Sequence, residues 1–407
     1  MMNIPFSPPF IDEDTIVEVT DTLRSGWITT GPKVKELEDL IAKFNQCDYA
    51  VAVNSATSAL MLALHWFGVG RGDEVIIPAY TYCATALAVK HIGATPVMVD
   101  VKSDFTLNPE KIGAAITNKT KAIIPVDIAG WPCDYEQIIE IVRSASSRHF
   151  DPTSTPQKKL GRVLILSDSA HSLGAVYKGK PVGALPDISV FSFHAVKNIT
   201  TAEGGALCLN LPPPFDNGDV YKTLRLWSLN GQTKDAFTKL QAGGWKYDIV
   251  YPGFKMNMPD ICAAIGVAQL RKYANALLPR RRSIANMYQE NFSNHSWAIL
   301  PPLRLEDTES SYHLYPIRIN GANESQRDLI IEEMTQAGIG VNVHFIPLPL
   351  LSIFKEQAYD ICDFEVSYNL YANEISLPIY PQLLDEQIEY VTNCLVAAVS
   401  KILHRND

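Results

Sequence analysis

The chain has 407 residues, 47 % of them hydrophobic and only 19 % charged, which is more than one ordinary domain and enough apolar material to bury a large core. A net charge of -9 with scattered Lys and Arg excludes the basic stripe of a nucleic-acid binder, and no apolar run reaches the roughly 18 residues of a membrane span. The N-terminus has no basic stretch leading into an apolar core, and the seven cysteines form no CxxC pair, so the expectation is a soluble cytoplasmic protein with buried, reduced thiols, no disulfide framework and no metal site.

Residues 31–44, GPKVKELEDLIAKF, open on Gly-Pro and set Val34, Leu37, Leu40 and Ile41 on one face, which predicts an amphipathic helix. From Tyr49 the chain repeats short apolar runs at 49–53, 74–80, 95–101, 121–129, 162–169, 188–194 and 204–210. Continuous runs rich in β-branched residues suit strands buried on both faces of a mainly parallel sheet. Between them, 57–68 and 82–93 have helical spacing and end in glycine, as crossover helices do. Residues 144–162 are polar and rich in Ser, Thr and Pro, which predicts an exposed excursion peripheral to any chemistry. Beyond about Gln269 the pattern changes to a long helix over 270–292, with strand signals at 311–319 and 341–346. The chain therefore divides into a large domain, 1–269, and a smaller α/β domain, 270–407.

Three features stand in the order that pyridoxal phosphate (PLP) chemistry requires. Asp168 ends the strand VLIL, where open α/β sheets bind ligands, and a carboxylate there can keep a pyridine nitrogen protonated. Lys197 follows an apolar strand and precedes a Gly-rich turn; a desolvated lysine can attack the cofactor aldehyde and later shuttle a proton. NSATSALMLAL, 54–64, offers a helix N-terminus with Thr57 or Ser58 for a phosphate, and Ser192 is a further candidate. Taken singly, each has an ordinary alternative. The Asp caps a turn, the Lys is a solvated charge, the Ser/Thr pair is an N-cap, His171 is a satisfied core histidine and Tyr82 a core aromatic. Order and mutual placement favour the chemical reading.

The blocks GWITTGPKVKELEDLIAKF, NSATSALMLAL, GDEVIIPAYTYCATALAV, SDSAHSLGAVYKGKPVG, SFHAVKNITTAEGGA and MPDICAAIGVAQL resemble the DegT-type sugar aminotransferases, from about residue 5 to beyond residue 380. The resemblance implies a fold type I PLP enzyme that aminates nucleotide-linked keto sugars, with glutamate as the expected donor. By position it makes Asp168 the partner of the pyridine nitrogen and Lys197 the Schiff-base lysine. His171 would lie near the ring hydroxyl, Tyr82 on the ring face, and Thr57, Ser58 and Ser192 at the phosphate. His313 and His344 fall in the part that closes over the sugar. It also implies a homodimer with shared active sites, in which the loop GFKMNM, 253–258, reaches the partner's cofactor phosphate. Lys255 and Asn257 stand there where many members have Asn and Arg, and a lysine can still neutralise a phosphate. Dehydratases of the family carry histidine at the Schiff-base position, so Lys197 argues for transamination. A cyclitol or aminoshikimate-type substrate, or a non-catalytic regulatory relative, are the alternatives. A nicotinamide or metal enzyme is disfavoured, because no G-x-G-x-x-G follows the first strand and there is no H-x-x-x-H pair.

Overall fold

The computed structural model describes residues 2–233, 246–357 and 359–403. In chain order the strands are β1 (Tyr49–Val53), β2 (Glu74–Pro78), β3 (Thr95–Val99), β4 (Thr120–Ile123), β5 (Leu164–Asp168), β6 (Val176–Tyr177), β7 (Lys180–Pro181), β8 (Ile188–Ser192), β9 (Gly205–Leu209), β10 (Ala298–Ile299), β11 (Arg304–Leu305), β12 (Thr308–Glu309), β13 (Tyr315–Ile319) and β14 (Glu374–Leu377). The first helices are α1 (Glu13–Arg24), α2 (Pro32–Asn45), α3 (Ala56–Trp66) and α4 (Cys83–His91).

The large sheet runs β1-β9-β8-β5-β4-β2-β3, parallel except for β9, which is antiparallel to both neighbours. Its strands alternate between two cores: Val51 and Val53 face one with Leu60 and Ile77, while Ala50 and Ala52 face the other with Leu37 and Ile76. Both faces are thus covered, as the continuous apolar runs predict. The run at 121–129 yields a shorter strand than its composition suggests. Pro125 has no N–H to give a ladder, and its carbonyl instead accepts from the Asp168 N–H at 2.9 Å. α3 and α4 lie where expected and are followed by Gly68 (φ 82°) and Gly93 (φ 87°), left-handed turns that glycine adopts without strain.

Three expectations need correcting. The stretch 144–162 is not a bare loop. One helix runs Tyr135–His149 and another Thr155–Leu160, and Gln157, fully buried, donates through Nε2 to the carbonyl of Phe67 at 3.1 Å. The helix expected over 270–292 is in fact Asp260–Lys272, a π turn at Tyr273–Leu277, and Leu278–Phe292, with Pro279 in the first turn of the last piece. Segment 341–346 forms only an isolated bridge, Asn342 to Ser376, because the N–H of Val343 goes to Asn342 Oδ1 and that of His344 to Glu374 Oε2. Of the cysteines, Cys133 and Cys208 are buried and Cys362 is exposed.

A three-stranded sheet, β10-β13-β14, anchors the C-terminal region, and a four-stranded one, β11-β12-β6-β7, joins residues 176–181 to 304–309. Ile4 also crosses over: its N–H donates to Gly338 O at 2.9 Å, its carbonyl accepts from Gly340 N at 2.8 Å, and its side chain packs with Ile339 and Ile375. Among the described residues, no helix is long and apolar enough to cross a membrane.

Candidate active site

The carboxyl ends of the parallel strands open into a cavity of about 720 Å³. β1 leads to Ser55 and Thr57, β2 to Thr81 and Tyr82, β5 ends in Asp168, and β8 ends in Ser192 ahead of Lys197; all of these line it. One strand direction therefore delivers residues far apart in sequence to one place. Asp168 is 7 % exposed. Its Oδ2 accepts from Thr85 Oγ1 at 2.8 Å, and its Oδ1 from the Ala170 N–H at 3.3 Å. Burial pushes its carboxyl up from the ordinary range, while those two donors and the Lys197 ammonium favour the ionised form.

Lys197 lies at a turn in which its N–H bonds to the His194 carbonyl at 2.9 Å, and its side chain faces the cavity. Among the described residues, its Nζ has no hydrogen-bond or ion-pair partner. Burial lowers its pKa to about 8, with Asp168 opposing. A neutral, nucleophilic amine is therefore accessible near neutral pH.

Three histidines form the wall opposite. His171 and His313 have ring centroids 4.4 Å apart, and Phe345 stacks on His171 at 5.8 Å. Burial, and then the charge of Lys197, pushes His171 well below its usual range, and His313 is depressed chiefly by burial. Both are neutral, and their tautomers follow from their partners. The Ala129 N–H donates to His171 Nδ1 at 3.2 Å, so Nε2 carries the hydrogen. Asn198 uses its amide hydrogens on Tyr273 Oη and the Ser311 carbonyl, both 2.9 Å away, so its Oδ1 accepts from His313 Nδ1–H at 2.9 Å. His344 joins the same wall.

At the other end, α3 begins with Ser55, whose Oγ accepts from the Ser58 N–H at 3.1 Å. Among the described residues, the N–H groups of Ala56 and Thr57 have no partner, and they start an 11-residue helix. Thr57 and Ser192 line the cavity, whereas Ser58 does not: its hydroxyl accepts from Ser55 Oγ at 2.9 Å. Tyr82 is 58 % exposed and sits 5.6 Å from Phe345, ring to ring. Lys255 is exposed, pairs through its backbone with Leu229, and is not among the residues lining the cavity. Sequence reasoning missed Ser55, Thr85, Asn198 and Phe345. Only Ser55 had a signal, as the residue one before a helix of small side chains.

The donor set suits PLP: a buried carboxylate for a protonated ring nitrogen, an unpartnered amine for an aldehyde, and hydroxyls with a helix start for a phosphate. Close backbone approach supports the last of these, since a Cβ on Gly205 would lie 2.6 Å from Ala56 N.

A model of the DegT/DnrJ/EryC1/StrS aminotransferase family matches residues 9–396. The spore coat polysaccharide biosynthesis protein SpsC of Bacillus subtilis (strain 168) is 35 % identical over 393 residues, 95 % of each chain. Among solved structures, the candidate sugar aminotransferase Spr1654 of Streptococcus pneumoniae in its PMP form is 46 % identical with a TM-score of 0.95 and full coverage of both chains. Its PLP form superposes at 0.94 over 98 % of this chain and 100 % of its own. PseC of Helicobacter pylori, an aminotransferase in the biosynthesis of pseudoaminic acid, is 27 % identical with a TM-score of 0.86, over 98 % of this chain and 100 % of its own.

Proposed function

Because the chain belongs to the DegT/DnrJ/EryC1/StrS aminotransferase family and is a PLP-dependent sugar aminotransferase, we propose that it moves an amino group from glutamate to a nucleotide-linked keto sugar, with Lys197 and Asp168 as its catalytic centre. The observation that carries this reading is the convergence of an unpartnered Lys197 amine, the buried Asp168 and the start of α3 on one cavity.

When bound, the cofactor supplies an electron-withdrawing ring that lets a carbon beside nitrogen lose a proton. Asp168, steadied by Thr85, holds the ring nitrogen in its protonated form. Lys197 Nζ, with a pKa of about 8, takes the proton from the donor's carbon in one half-reaction and returns one to the sugar carbon in the other. His171 offers Nε2–H to an oxygen on the ring, Tyr82 covers its face, and Ser55, Thr57 and Ser192 with the first N–H groups of α3 hold the phosphate. His313 and His344 face the sugar. The working unit is a homodimer in which Lys255 of each chain serves its partner's phosphate.

Absorption spectra of the protein with PLP test this reading. The wild type shows a visible band of the bound cofactor that glutamate bleaches, and Lys197→Ala loses both that band and turnover, by about 10³-fold or more. A wild type without the band overturns the role of Lys197. Equal kcat/KM for a keto sugar with and without its nucleotide overturns the substrate class.

A further inference from the structure

Two side chains outside the cavity are wired to one that lines it. Strand side chains alternate, so Glu374 and Ser376 of β14 share a face, and both are fully buried. Ser376 Oγ is 2.5 Å from Glu374 Oε1 and 2.9 Å from His344 Nδ1. The His344 N–H donates to Glu374 Oε2 at 2.9 Å, closing a ring of contacts. Backbone bonds between Asn342 and Ser376, 3.2 and 2.8 Å, pin the loop against the strand. His344 lines the cavity, and its Nε2 has no hydrogen-bond partner among the described residues.

Such a chain has two proton arrangements. An ionised Glu374 can only accept, so the Ser376 hydroxyl donates to it, Oγ accepts from His344 Nδ1–H, and Nε2 is left as a bare acceptor. A protonated Glu374 donates to Ser376 Oγ instead. The serine hydrogen then turns to Nδ1, and Nε2 carries the hydrogen.

We propose that Glu374, acting through Ser376, sets which nitrogen of His344 carries the hydrogen, and so whether the imidazole offers a donor or an acceptor to the oxygens of the sugar. Glu374 and Ser376 are then positioning residues for the aminotransferase reaction, an assignment that rests on the cavity being that site.

Both arrangements are accessible in the working range. Burial pushes Glu374 up to about 8 against its bonds to Ser376 and His344 and the charge of Arg327. Burial, then Lys197, pushes His344 down to about 3, so the ring stays neutral and only its tautomer changes. The other groups facing this chain are Tyr80, whose hydroxyl donates to the His344 carbonyl at 2.7 Å, Arg318 paired with Glu374 across β13 and β14, Tyr371 beside Tyr80, and His171 and His313 on the cavity wall.

The test is ¹⁵N NMR of the holoenzyme labelled at histidine, titrated from about pH 6 to about pH 10, with His344→Asn identifying the signals. In the wild type the His344 pattern passes from Nε2–H below a midpoint of about 8 to Nδ1–H above it. Glu374→Gln, whose oxygen keeps the His344 N–H while its amide donates to Ser376, holds the Nε2–H pattern throughout. Ser376→Ala abolishes the titration. A flat wild-type pattern, or a Ser376→Ala protein that titrates like the wild type, overturns the proposal. The visible band of the bound cofactor reports on the Lys197 reading separately, so the two fail independently.

Discussion

Thr85 reaches Asp168 from the first turn of α4, from a position 83 residues away in sequence, and its hydroxyl is one of two donors that offset the burial of that carboxyl. Thr85→Val keeps the shape and removes the bond, so it costs about 1 to 3 kcal/mol in urea unfolding and weakens PLP binding several-fold in a spectroscopic titration. Lys197 supplies a second prediction. Its folded pKa, lowered to about 8, means that the neutral amine gains as pH rises through that value, so the rate at which apoenzyme captures PLP climbs through about pH 8 in stopped-flow absorbance. Glu374 titrates with the opposite consequence for stability. An acid raised from 4.5 to about 8 contributes stability that is fully present below 4.5 and lost as pH rises through about 8. Glu374→Gln escapes that loss, so its melting temperature exceeds the wild type's by several degrees above pH 8, and the gap closes toward pH 5. Asp168 and Lys197 were legible in the sequence because each follows an apolar strand inside an ordered block of motifs. Thr85, Asn198, Glu374 and Ser376 were not, since their roles come from partners that only folding brings near.

At the scale of elements, the strands of the large sheet could be read because burial on both faces leaves an unbroken apolar run. The parallel pairing was legible too, from the same runs and the crossover helices between them, whereas the order of the strands and the antiparallel β9 were not, as no local pattern encodes them. Segment 341–346 misled for a related reason: its alternation is that of a strand, yet its N–H groups go to side chains of Asn342 and Glu374. The start of α3 depends on β9 coming close. A methyl on Gly205 would meet Ala56 N at 2.6 Å, the Ser55 carbonyl carbon at 2.7 Å and Phe191 O at 2.8 Å, all backbone atoms that cannot swing aside. Gly205→Ala should therefore cost about 1 to 3 kcal/mol and displace the helix start. The measurements are the melting temperature and the PLP dissociation constant, both of which worsen.

For the whole molecule, the shared site is the statement most open to test. If Lys255 serves the partner's cavity, Lys197→Ala and Lys255→Ala chains are each nearly inactive, yet a refolded equal mixture recovers about a quarter of wild-type turnover, because half the dimers hold one intact site of two. A mixture no better than its components removes the partner loop from the mechanism. The division at residue 270 is likewise a proposal, tested by whether limited proteolysis cuts there. Ile4, far from that boundary in sequence, lies between Gly338 and Gly340 and within the apolar cluster of the C-terminal region. That placement carries a consequence for synthesis. On the ribosome the segment around Ile4 emerges ahead of its partners, which are made only after most of the intervening chain has followed, roughly tens of seconds later at common elongation rates. An apolar segment must wait outside the tunnel for that interval, exposed to chaperones, before the last part of the fold can close over it.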